Sequence, residues 1–176
     1  MRKPVDPPRL RSFLEALGGA ASRDVTVYLT GGATALLLGW RLSTLDVDLK
    51  IVPEDDALMR AIPRLKEELQ LNVEIASPDD FLPELPDWRE RSPSVERLGR
   101  VAVRHYDLYA QALAKLERGH AQDLDDVREM MRRGLVRPDR LLELLAAIEP
   151  DLYRFPAIDP KSFRRAVEEF VRSISG

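Results

Sequence analysis

Asp46 and Asp48, separated by Val47, are the residues of this 176-residue chain whose types and spacing best suit chemistry. Side chains alternate along an extended segment, so both carboxylates leave one face while Val47 and Leu49 pack behind it. Two carboxylates held this close repel each other unless a cation or basic partner offsets them. Magnesium, or manganese, is the natural guest, because it binds through one or two carboxylates and completes its shell with substrate phosphates. Upstream, Gly31-Gly32 lets the backbone approach a ligand closely, and the short apolar segment after it offers helical N–H groups to phosphate. Glu74 adds a third acid between Val73 and Ile75. Each feature alone has an ordinary explanation: a solvent-facing strand, a turn that needs glycine, a surface glutamate. Their joint occurrence carries the weight.

These residues need particular elements to position them. Val25 to Leu29 reads as a strand rich in β-branched and aromatic residues, leading into the glycine turn. Ala33 to Leu38 predicts a short buried helix stopped at Gly39, with Trp40 in the core. Leu45 to Val52 predicts the strand that carries the acids. Glu54 to Gln70 has helical spacing, with Pro63 expected to kink it or restart it. Leu71 to Ala76 alternates, placing Leu71, Val73 and Ile75 on one face and Glu74 on the other. Ahead of this core, Asp6-Pro7 signals a helix start, with Leu10, Phe13, Leu14 and Leu17 at helical spacing. A proline-rich stretch from Leu82 to Pro93 reads as an ordered loop anchored by Phe81, Leu85 and Trp88. Val95–Leu98 and Val101–His105 predict a hairpin turning at Gly99-Arg100.

From Asp107 the pattern is helical: Leu108–Arg118, then Leu124–Arg133 with Asp123 as its cap, then Asp139–Ile148. A last helix follows Asp159-Pro160, with Phe163, Val167, Phe170 and Ile174 inward. The expected fold is α+β: a small mixed β-sheet with flanking helices over residues 1–105, then a helical C-terminal region over 106–176.

Composition narrows the function. A hydrophobic content of 44% with 32% charged residues describes a soluble globular protein. The net charge of −3 gives no global attraction to nucleic acid or anionic membrane, so such contacts need a local basic patch. With no cysteine, disulfides, iron–sulfur clusters and thiolate zinc sites are excluded, and two histidines make an imidazole-rich zinc site improbable. No apolar run approaches the roughly 20 residues of a membrane span, and the N-terminus lacks a signal-peptide core. A cytoplasmic location is the expectation.

Gly31-Gly32, thirteen further residues, Asp46-Val47-Asp48-Leu49, and then Val73-Glu74-Ile75 together resemble the pattern of the DNA polymerase beta-like nucleotidyltransferase superfamily. Within it the chain looks like the small prokaryotic proteins grouped with AbiEii-type toxins. Those carry a downstream helical segment matched here by Lys115, Arg118, Gln122-Asp123 and Asp126. The resemblance covers about residues 20–135. It implies transfer of a nucleotidyl group from a nucleoside triphosphate, ATP among them, to an acceptor hydroxyl, with pyrophosphate leaving. It implies that Asp46 and Asp48 hold the divalent ions and that Glu74 ligates the acceptor-side ion or takes the hydroxyl proton. Gly31 and Gly32 would bind the triphosphate through N–H groups, with Lys115 and Arg118 neutralising its charge and Asp123 beside them. An RNA 3′ end, such as that of tRNA, and a role as the toxin of a toxin–antitoxin pair follow if the resemblance extends to biology.

One departure stands out. Many superfamily members carry Ser where this chain has Gly32, and its hydroxyl contacts the triphosphate; Thr30, Thr34 or Ser43 would have to substitute. Arg41 and Thr44, just before the acid pair, could touch phosphate or secure the turn. Arg89, Arg91, Arg97, Arg100 and Arg104, with Trp88, could receive an RNA end, but the interspersed acids favour a salt-bridged surface. Two rivals remain: a nucleotide-binding or interaction module without catalysis, and a phosphotransferase acting on the γ-phosphate.

Overall fold

The computed structural model describes residues 3–175. The chain forms two compact units. The first runs to Ser77 and adds Ser92–Tyr106; the second joins Pro78–Arg91 to the segment from Asp107 onward. The proline-rich stretch, placed by the sequence reading with the first half, thus goes largely with the second unit.

The first unit is a five-stranded mixed sheet with helices, as expected. Its elements are α1 (Pro7–Ala20), β1 (Val25–Thr30), α2 (Gly32–Leu38), β2 (Val47–Val52), α3 (Asp56–Glu68), β3 (Val73–Ile75), β4 (Ser94–Leu98) and β5 (Val101–His105). The strand order is β3-β2-β1-β5-β4. β1 pairs antiparallel with β2 and parallel with β5, while β2 pairs parallel with β3 and β4 antiparallel with β5. Central β1 is buried almost throughout, Thr30 included. Val27, Leu29, Val47, Leu49, Val101 and Val103 build the core with Leu10, Phe13, Leu17 of α1 and Leu58 and Leu65 of α3. Asp6 caps α1 through the Arg9 N–H at 3.0 Å, and Asp55 caps α3 while also accepting from the Ser22 N–H and hydroxyl.

Four local expectations are corrected. α3 runs unbroken through Pro63, which lies on its exposed side, so the helical carbonyl it leaves unpaired can turn to water. β2 begins at Val47 and not at Leu45; Thr44 instead makes a bridge to Val5, and Leu45 is exposed. Ile75 is exposed while Leu71 and Val73 are buried, because β3 is a three-residue edge strand that the core covers only at its start. Trp40 is half-buried, not sealed in the core.

The second unit comprises α4 (Leu108–Arg118), α5 (Ala121–Arg132), α6 (Pro138–Ile148) and α7 (Pro160–Ser175), with short 3-10 turns at Pro78–Asp80 and Glu149–Arg154. Leu113, Leu116, Val127, Met130, Leu141, Leu145, Val167 and Phe170 are buried. Leu82, Leu85 and Trp88 are the buried anchors of the proline-rich stretch, whereas Phe81, expected among them, is exposed. Asp107 caps α4 and is gripped by Arg91, whose guanidinium donates to Asp107 Oδ2 at 2.7 and 3.2 Å. Burial raises the Asp107 carboxyl above its ordinary pKa against the opposing pull of Arg91.

Candidate active site

Antiparallel pairing of β1 with β2 places Thr30 opposite Asp48. The Gly31-Gly32 turn that follows Thr30 therefore sits at the acid-bearing end of β2. Gly31 adopts φ 62° and ψ −132°, a conformation open to glycine and strained for other residues. A Cβ on it would also lie 3.1 Å from Asp48 Oδ2. The turn and the carboxylate thus touch, which neither sequence motif states alone.

Gly32 is required for a different reason. Its Cβ would lie 1.9 Å from Thr44 Oγ1 and 2.7 Å from Thr44 Cβ. Of the hydroxyls expected to stand in at this turn, Thr30 is buried at the end of β1 and Ser43 is exposed in the loop. Thr34 is fully buried; its hydroxyl donates to Leu29 O at 3.3 Å and shares a hydrogen bond with His105 Nδ1 at 3.0 Å. Thr34 therefore takes an interior role in place of the expected triphosphate contact. The hydroxyl beside Gly32 belongs to Thr44. Arg41 is half-buried in the same loop.

Burial along β2 alternates as expected, with Val47 and Leu49 fully buried and Asp48 half-open. Asp46, also half-buried, precedes the strand on the same polar side. Asn72 clamps this point twice. Its side-chain amide donates to Asp46 Oδ1, and its carbonyl accepts the Val47 N–H at 2.8 Å. Asn72 was missed as a site residue although a signal existed: the alternation that puts Glu74 on the polar face puts Asn72 there too. Glu74 is exposed and stands in register with Asp48 across the parallel β2–β3 pair. Among the described residues no group of three or more His, Asp or Glu lies close enough to share a metal ion, so the three acids do not form one ready-made cluster. Asp48 beside the glycine turn and Asp46 two residues before it carry hard oxygen donors, the kind that could hold magnesium or manganese together with substrate phosphates.

The helical residues singled out by sequence gather in the second unit. Lys115 is buried, its Nζ 2.8 Å from Asp126 Oδ2 and 3.7 Å from Asp123 Oδ1. Arg118 donates to both Asp123 oxygens at 2.5 and 3.1 Å. Burial works to raise the Asp123 pKa, but Arg118 and Lys115 outweigh it and the net shift is downward. Asp123 is not the helix cap; α5 starts two residues earlier at Ala121, which puts Asp123 inside the first turn facing Arg118. The Lys115 charge is thus balanced by two buried carboxylates of its own unit.

The arginine-rich stretch is largely engaged within the protein. Arg97 pairs with Asp24, Arg100 donates to Ser22 O, Arg104 donates to Ser92 O at 3.0 Å, and Arg91 holds Asp107. Arg89 lies over the Trp88 ring, 5.2 Å from its centroid. These contacts favour the salt-bridged reading over an RNA platform.

A mixed sheet whose glycine turn abuts an Asp-x-Asp strand is the framework of a nucleotidyltransferase. The chain belongs to the family described as nucleotidyltransferase of unknown function (DUF6036), which it matches over residues 9–173. It matches no curated protein and no solved structure. Among the described residues no helix is long and apolar enough to cross a membrane.

Proposed function

We propose that this protein transfers a nucleotidyl group from a nucleoside triphosphate to an acceptor hydroxyl. The observation that carries the reading is the contact between the glycine turn and the acid pair. Gly31 leaves room for the Asp48 carboxylate, so a phosphate chain on the turn would lie beside that acid. Gly31 and Gly32 bring backbone N–H groups close to the triphosphate. Asp46 and Asp48 would hold magnesium or manganese, with Asn72 orienting Asp46. The bound ion supplies Lewis-acid polarisation of the α-phosphate and offsets the charge of phosphates and carboxylates. The acceptor oxygen forms a bond to the α-phosphorus as the bond to the bridging oxygen breaks and pyrophosphate leaves. Glu74, open to solvent beside Asp48, accepts the proton of the acceptor hydroxyl and passes it to water.

An RNA 3′ end as acceptor, an antitoxin partner, a toxin role and a cytoplasmic location rest on sequence resemblance and composition alone. So does a phosphate-neutralising role for Lys115 and Arg118. A second reading, a nucleotide-binding module without turnover, is favoured by one observation, the lack of a gathered three-acid cluster among the described residues. Incubating the protein with magnesium, labelled nucleoside triphosphates and cellular RNA tests both. Labelled acceptor with pyrophosphate release supports transfer. Binding without pyrophosphate supports the module, and a diphosphate product indicates γ-phosphate chemistry instead.

A further inference from the structure

Gly32 lacks a side chain for a reason that lies elsewhere in the chain. The space its Cβ would fill is taken by Thr44, whose Oγ1 lies 1.9 Å from that point and whose Cγ2 lies 3.4 Å away. A hydroxyl therefore stands over the turn although neither turn residue carries one. Its position is pinned by the backbone. Val5 N donates to Thr44 O at 2.7 Å, and Thr44 N donates to Val5 O at 2.9 Å. Val5 itself is fully buried ahead of α1. The Thr44 hydroxyl donates to Asp46 O at 3.1 Å, long for a bond between oxygens. Its proton can swing about the Cβ–Oγ1 bond to a stronger acceptor while the oxygen stays in place. An anionic phosphate oxygen on the turn is such an acceptor, because charge assistance makes that bond the stronger of the two.

We propose that Thr44 is a substrate-binding residue whose hydroxyl donates to a phosphate oxygen of a nucleoside triphosphate seated on the Gly31-Gly32 turn, with Val5 as its positioning residue. The proposal rests on the nucleotidyl-transfer reading and deepens it. A ligand contact at the turn is supplied from the loop before β2, and Gly32 is the accommodation that makes room for it.

The test is titration calorimetry of the full chain with a non-hydrolysable ATP analogue and magnesium, each variant being checked by thermal unfolding. Thr44→Val and Thr44→Ala are expected to bind roughly 10- to 100-fold more weakly, the loss of one hydrogen bond to a charged group. Thr44→Ser is expected to recover most of the affinity. Thr44→Gly combined with Gly32→Ser, which also removes the Thr44 Cβ that would lie 2.7 Å from the new Cβ and returns a hydroxyl from the turn, is expected to recover to within about tenfold of wild type. If Thr44→Val does not fold, Thr44→Ala and the double variant decide. Wild-type affinity in folded Thr44→Ala overturns this proposal alone, as does failure of the double variant to improve on Thr44→Ala. A folded wild-type protein that binds no nucleoside triphosphate overturns the transfer reading and this proposal with it.

Discussion

Asn72 holds the entrance to β2 at two points, donating its side-chain amide to the Asp46 carboxylate and accepting the Val47 N–H on its backbone carbonyl. Asp46 is thereby fixed at the entrance to β2 before any ligand arrives, and one of its oxygens already has a partner. Preorganisation of this kind lowers the cost of assembling a metal and substrate site. Replacing Asn72 with Ala should lower nucleotidyl transfer about 10- to 100-fold, in line with loss of an outer-shell partner. Thermal unfolding should move little, because Asn72 is only half-buried. Transfer at the wild-type rate would remove Asn72 from the site.

Asp46→Asn and Asp48→Asn should each reduce transfer at least about 100-fold, since each removes a carboxylate from the proposed ion site. Neither should unfold the protein, because relieving the repulsion between neighbouring carboxylates favours the apo state. Stability in urea, measured beside transfer, separates the two effects. Transfer that survives both changes would exclude this acid pair as the catalytic centre.

Gly31→Ala combines a strained backbone with pressure on Asp48 Oδ2. The backbone alone should cost about 1–3 kcal/mol of stability. Affinity for the triphosphate should fall as well, because the turn can relieve the strain only by moving off the carboxylate. Denaturant melts and nucleotide titration check the two parts independently.

Lys115→Met should be strongly destabilising, by about 3–5 kcal/mol, since it takes the cation from the buried Asp126 carboxylate, while Asp123 keeps Arg118. Adding Asp126→Asn should restore part of the loss. A Lys115→Met protein that melts like wild type but loses transfer would assign the lysine to substrate and not to its unit's interior.

His105 should make stability depend on pH. Burial lowers its folded-state pKa to about 4 from an ordinary 6.5. As pH falls the unfolded chain takes up the proton first, so this contribution is fully present above about pH 6.5. It is lost between about 6.5 and 4 and levels off below, for a total of about 3 kcal/mol. The difference in unfolding free energy between wild type and His105→Asn, followed across that range, isolates the histidine from the carboxylates. A parallel pH dependence in the two proteins would show that His105 does not titrate this way.

Local pattern made much of this protein readable from sequence. Strand alternation put Val47 and Leu49 inward and the aspartates outward, and helical spacing located α1 and α4 to α7 within a few residues. The Asp6 and Asp159 caps belong to the same class, because a cap is decided by atoms two or three residues away. Errors arose where a local rule met the boundary of the core. Pro63 was expected to kink the helix or start its second half, yet α3 is one helix through it, with Pro63 on the exposed side. Ile75 and Phe81 were read as buried, yet an edge strand and a surface turn left them in solvent.

The sequence by itself determined the order of the elements, the α+β class, and the inward placing of Val47 and Leu49 around Asp48, since all of these depend on neighbours in the chain. Only the tertiary structure decided that Thr44 fills the space beside Gly32, that Asn72 grips Asp46, that Glu74 stands beside Asp48, and that Lys115 lies between two buried carboxylates. The physical reason is register. Which side chains meet across strands and helices is set by how the apolar faces pack together, and a shift of one residue in β2 against β1 would turn Asp48 to the other face.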